Sequence, residues 1–219
     1  MKALPITAAI LGTTAVGFYL FRQNLKSRLT TKAQHGHLPR SISPNITTAP
    51  QEVFTEQTVA VYDSASISVP RQQLPALPTE ELLTRLLRRN MSSFTSLPQA
   101  YILRTMSTAA EKPSFAPANI QRLDFKEGDL VCGAYRVILR TPAKVEFEIK
   151  PMGAVRARLA ITVTEKDDQM VFMNETLMWK PKGEKGVMPL ETGVGKWLHE
   201  LTAWWMVDSG VKYLKDLKN

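Results

Sequence analysis

At 219 residues the chain is long enough for one sizeable core, and with 44% hydrophobic residues it is not a disordered tail. Its formal charge of +8 invites a nucleic-acid reading, but Lys2, Arg22, Lys26, Arg28, Lys32 and Arg40 supply six of the eight excess charges, with no Asp or Glu before Glu52. The remainder is near neutral, which excludes a basic nucleic-acid-binding domain, and a single cysteine, Cys132, excludes an intrachain disulfide.

The first element is "ALPITAAILGTTAVGFYLF", Ala3 to Phe21, which carries no charge and is just long enough, as a helix, to cross a hydrocarbon core of about 30 Å. Tyr19 and Phe21 stand where aromatics favour an interface, and Arg22, Lys26 and Arg28 follow. Residues 1–28 are therefore expected to be an uncleaved single-pass anchor with a basic flank. The positive-inside rule then leaves the folded part in the cytosol, as for an endoplasmic-reticulum protein. A mitochondrial import sequence fits the same acid-free, Arg- and Ser/Thr-bearing segment.

Residues 29–57 lack apolar periodicity and are rich in Thr, Ser, Pro and Gln, so they are expected to be a flexible linker. His35 and His37 fall in it, with no further ligand to make a metal site. The sequons at Asn45, Asn90 and Asn174 would matter only in a lumenal domain.

From Thr58 the pattern changes. "TVAVYDSASISVP" supplies an opening strand that stops at Pro70. Thr79, with Glu80 and Glu81 behind it, starts a helix striped by Leu82, Leu83, Leu86 and Leu87. A second helix runs from Pro98 to Met106. The next sixty residues form an antiparallel meander: "GDLVCGAYRVILR", the strictly alternating "KVEFEIK", "AVRARLAITVTEK", and "QMVFMNETLMW", which departs from alternation by being apolar on both faces. Cys132 lies inside the first of these runs and is expected to be a small core residue. The chain closes with a helix from about Lys196 to Leu217, apolar over more than half its circumference at its start, which must bury a broad front. No familiar metal, nucleotide or nucleophile motif occurs.

The order strand, two helices, meander, long C-terminal helix resembles the helix-grip fold of the SRPBCC superfamily, the START and polyketide-cyclase-like proteins. "FKEGDLVCGAYRVILRTPAKVEFEI" stands as the start of the meander and "KWLHELTAWWMVDSGVKYL" as the gripped helix. The resemblance implies an α+β domain over 58–219, a curved antiparallel sheet around the last helix, and an apolar cavity for a lipid, sterol, terpenoid or polyketide. A lipocalin-like closed barrel is the alternative fold. The superfamily has no universal catalytic motif, so it carries no catalytic residue onto this chain and implies no cofactor.

Three functions follow as expectations: a membrane-tethered carrier of an apolar small molecule, a cofactor-free cyclase or isomerase using the same cavity beside enzymes of a membrane-bound pathway, or a structural or assembly protein of a mitochondrial membrane. A cyclase needs few groups, because holding a flexible substrate near its reactive conformer supplies several kcal/mol by itself. Glu175, between apolar neighbours Met173 and Leu177, is an acid or base with a raised pKa if it faces the cavity, or a water-facing partner of Arg156 or Arg158 if it does not. Asp208 and His199 lie on the C-terminal helix and face either the cavity or solvent. Tyr135 is positioned to aim a hydroxyl inward, while Trp197, Trp204, Trp205 and Met173 are expected as apolar walls.

Overall fold

In the computed structural model, which describes residues 17–218, the alternating runs become strands of one antiparallel sheet. These are β1 (Thr30–Gly36), β2 (Thr58–Pro70), β3 (Leu130–Val131), β4 (Tyr135–Thr141), β5 (Lys144–Met152), β6 (Val155–Lys166) and β7 (Gln169–Pro181). Their order is β1-β2-β7-β6-β5-β4-β3, so β4 to β7 is the expected meander and β2 returns to pair with β7 along its whole length, Thr58 opposite Pro181 and Pro70 opposite Gln169. The β6–β7 turn is made by Asp167 and Asp168, both with positive φ, a conformation that Asp tolerates and that matches the twist of a two-residue hairpin. β1 and β3 are the two edges, so the sheet is open and does not close into a barrel.

The helices are α1 (residues 17–28 in its described part), α2 (Thr79–Phe94), α3 (Pro98–Thr105), the single turn α4 (Pro117–Ile120) and α5 (Gly193–Asp216). One face of the sheet, here called inner, brings Val145, Phe147, Ile161, Val163 and Phe172 against the leucine stripe of α2 and against Met206, Val211 and Leu214 of α5. The α+β class and the long C-terminal helix packed on an antiparallel sheet are as expected.

Residues 29–57 are not a linker. Thr30–Gly36 pairs with β2 from Thr30–Ser66 to Gly36–Ala60, and the following residues cross the outer face of the sheet. There Leu38, Ile46, Ala49 and Val53 are buried against Ala60, Tyr62, Ala160, Leu177 and Trp179. Four small or medium apolar residues at irregular spacing leave no periodic signal, yet they bury because each meets a strand already apolar on that side. Glu146 of β5 fastens this strap, accepting from the backbone N–H and hydroxyl of both Thr47 and Thr48 and from Lys144 Nζ. Covering both faces also accounts for the departure of β7 from alternation: its even-numbered residues meet the helices and its odd-numbered ones meet the strap.

Among the described residues no helix is long and apolar enough to cross a membrane. Most of the expected span, Ala3 to Val16, lies outside the described residues. The described remainder, α1, docks on the protein: Leu25 is buried among Ala65, Ala203, Trp204 and Val207, Arg22 pairs with Glu200 at 2.8 Å and Arg28 with Asp208 at 3.3 Å. The expected basic flank of a membrane segment is thus engaged with two acids of α5.

Candidate functional site

Between the inner face of the sheet and the first half of α5 lies a cavity of about 370 Å³. Its floor comes from inward-facing strand residues, Leu159, Ile161, Thr176 and Met178; its roof is the stripe Gly195, Leu198, His199, Thr202 and Met206 of α5. The helical spacing of that stripe is what points it at the sheet. α2 closes the rear with Met91 and Phe94, and α3 with the β5–β6 turn forms the mouth through Ile102, Met106 and Met152. The walls are overwhelmingly apolar.

Polar groups enter at few points. Tyr135 packs edge-on to Phe94 and Phe147, at centroid separations of 5.6 and 6.3 Å, and burial holds its phenol well above the ordinary range, so it stays neutral. His199 Nε2 lies 3.3 Å from Asp63 Oδ1 but without hydrogen-bond alignment, and it is buried with no hydrogen-bond partner among the described residues. Gln99 donates to Thr202 Oγ1 at 2.6 Å and to the Leu198 carbonyl at 3.2 Å, leaving its own Oε1 buried and unpaired. Behind His199 a more polar cleft of about 430 Å³ is lined by the His35–Glu191 pair, 3.1 Å apart, and by Asp63, Lys196 and Glu200. Among the described residues, no group of three His, Cys, Asp or Glu side chains is placed to hold a metal ion. Cys132 is buried, and burial pushes its thiol up to about 12, which leaves no thiolate nucleophile near neutral pH.

Of the residues singled out in the sequence, the cavity gathers Tyr135 and His199. Glu175 and Met173 are on the outer face, beneath the strap: Glu175 is fully buried, accepts from Tyr62 Oη at 2.8 Å, and Met173 Sδ accepts from Asn45 at 3.5 Å. Burial raises the Glu175 pKa, against the lowering effect of the Tyr62 bond. The carboxyl is neither solvent-facing nor in the cavity. Asp208 is committed to Arg28. Trp197 is 41% exposed and meets Phe18, Trp204 is covered by α1 with Arg22 over its ring at 5.0 Å, and Trp205 lies under Arg89 at 5.1 Å. The tryptophans are therefore not cavity walls, because α5 buries its second apolar side against α1. Gln99, Thr202, Met206 and Asp63 were not singled out. The stripe 195, 198, 199, 202, 206 was the available signal for Thr202 and Met206; Asp63, an acid inside an otherwise apolar and small-residue strand, was another.

No family model and no curated protein matches the chain. Among solved structures it is similar to CalU16 from Micromonospora echinospora, at 13% identity and a TM-score of 0.35, over 86% of this chain and 93% of that one. A likeness that loose assigns neither activity nor ligand.

Proposed function

We propose that the chain binds a mostly apolar small molecule in the cavity between the sheet and α5, and acts in that molecule's biosynthesis as a cofactor-free cyclase or isomerase, or as its carrier. The observation that carries this reading is the pairing of an apolar cavity with a buried polar atom on its wall, Gln99 Oε1, that has no hydrogen-bond partner among the described residues, beside the imidazole of His199. A buried polar atom without a partner costs about 1–3 kcal/mol, and a ligand bearing a hydroxyl or carbonyl offsets that cost while its carbon skeleton fills the rest. Lipids, terpenoids and polyketides, the classes implied by the helix-grip resemblance, meet that description. In the enzymatic form, His199 is the acid or base, because it is the imidazole on the wall and the Asp63 carboxylate, 3.3 Å from its Nε2, is placed to orient the ring.

Extraction of the purified full chain followed by mass spectrometry tests this. An apolar compound held in one-to-one ratio supports it. The compound returning unchanged from a supplied precursor marks a carrier, and a rearranged product marks an enzyme. In the second case His199→Ala lowers conversion about 100-fold, while retention changes far less. A chain that holds nothing, and binds none of a panel of fatty acids, sterols, terpenoids and polyketides, refutes the reading.

A further inference from the structure

We infer that the end of the molecule where the cavity opens is a docking surface for an anionic lipid bilayer, so that ligand passes between bilayer and cavity without crossing water; this rests on the ligand-binding reading above. Twelve large apolar side chains are exposed among the described residues, and eleven of them lie at this end. Ile102, Met106 and Met152 form the cavity mouth, with Tyr101 beside them on α3. Val194 and Trp197 stand on the opening turns of α5, and Val187 just precedes Pro189 on the cavity rim. The ring of Phe18 lies 6.2 Å from that of Trp197, which brings Tyr19, Leu20 and Phe21 to the same pole. The twelfth, Leu217, is at the opposite end of α5. Exposed residues scattered singly need no explanation, but their gathering at the end where the cavity opens marks an interaction surface.

The charges choose the partner. Arg104, Lys182 and Lys185 are exposed among these apolar residues and form no ion pair among the described residues. Of the acids nearby, Glu191 is engaged by His35 and Lys180, and Glu200 by Arg22 and Lys196, leaving Glu184. An apolar patch edged with cations matches the interface of an anionic membrane, where side chains enter the acyl boundary and Lys or Arg reach phosphate. A second copy of the chain would set the same cations against one another. The path of α1 agrees: Phe18 meets Trp197, Arg22 meets Glu200 and Arg28 meets Asp208, so α1 runs parallel to α5 and the first described residues of α1 lie at this end.

The test is flotation of the full chain with vesicles of phosphatidylcholine, with and without phosphatidylserine, for wild type, Ile102→Glu/Met106→Glu and Arg104→Glu/Lys185→Glu. The second variant alters exposed charges alone and guards against misfolding in the first. Wild type binds the anionic vesicles preferentially; the apolar-to-acid variant loses about tenfold or more in affinity, and the charge variant about fivefold or more per cation at low salt. The charge variant, whose residues do not line the cavity, slows uptake of a fluorescent fatty acid from vesicles and keeps the amount bound at equilibrium. Unchanged vesicle binding in both variants overturns the inference, as does loss of self-association in both with no vesicle binding in any form. A wild type that docks as described but holds no ligand overturns the cavity reading and leaves the docking surface standing.

Discussion

Replacing Glu146 by Gln tests whether the strap over the outer face is held by one buried carboxylate. The group is fully buried and receives five donors: the N–H and hydroxyl of Thr47 at 2.9 and 2.6 Å, those of Thr48 at 3.0 and 2.7 Å, and Lys144 Nζ at 2.6 Å. Burial by itself would raise its pKa; the bonds from Lys144, Thr47 and Thr48 outweigh it and hold the carboxyl at about 2, against an ordinary value of 4.5. Taken whole, that shift corresponds to about 3 kcal/mol, and solvent near Lys144 reduces it to about 2 kcal/mol. The Gln amide also turns an NH₂ toward groups that are themselves donors, which adds about 1 kcal/mol. For a chain of this size a loss of about 2–3 kcal/mol lowers the melting midpoint by roughly 5–10 °C. Because the folded pKa is depressed, the stabilisation is fully present above the unfolded value of 4.5 and is lost as pH falls through about 2. Urea melts of wild type and variant from pH 7 down to pH 2 therefore show a gap that is full near neutrality and closes at the acid end, since other groups titrate alike in both. Equal stability at pH 7, or a gap unchanged across the whole range, refutes the latch.

Two further outcomes follow from the same packing. Glu175 has a raised pKa, so its burial costs stability once pH rises through 4.5 and the full cost applies above the folded value; Glu175→Gln should match wild type below that pH, be at least as stable at pH 7, and leave ligand retention untouched because the side chain is on the other side of the sheet. A loss of bound ligand would place the carboxyl functionally in the cavity after all. Leu25→Ala removes a fully buried side chain between α1, β2 and α5 and should lower stability by about 2–4 kcal/mol in denaturant titration, whereas no change would mean that α1 is a mere tether.

The elements that pack by a regular period were legible. α2 begins at Thr79 as its acidic first turn indicates, α3 begins at Pro98, α5 starts three residues before Lys196, and the alternating runs are strands β4 to β6. What stayed hidden is whatever buries without a period. Leu38, Ile46, Ala49 and Val53 are isolated apolar residues in a polar, Pro-containing stretch, and the bonds that fasten it come from Glu146, ninety-eight or more residues away. The two-faced apolarity of β7 was the trace of this second layer. Its parity also placed Glu175 with Met173 and Leu177, on the strap side, and Asn174, Thr176 and Met178 in the cavity. On α5 the tryptophans drew attention by size, but a helix apolar on two sides has two partners, and α1, whose sequence reads as the end of a membrane segment, occupies the side that Trp204 faces.

The most direct measurement of the central claim is a fluorescence titration of an apolar fatty-acid probe into wild type and Thr176→Phe. Thr176 is an inward residue of β7 on the cavity floor, 2% exposed, and a phenyl ring there takes up space that a ligand would occupy. The cavity account predicts saturable single-site binding in wild type and a loss of about tenfold or more in Thr176→Phe, with circular dichroism showing the fold kept. Equal affinity in the two folded proteins would contradict it, since the probe would then be bound somewhere other than between the sheet and α5.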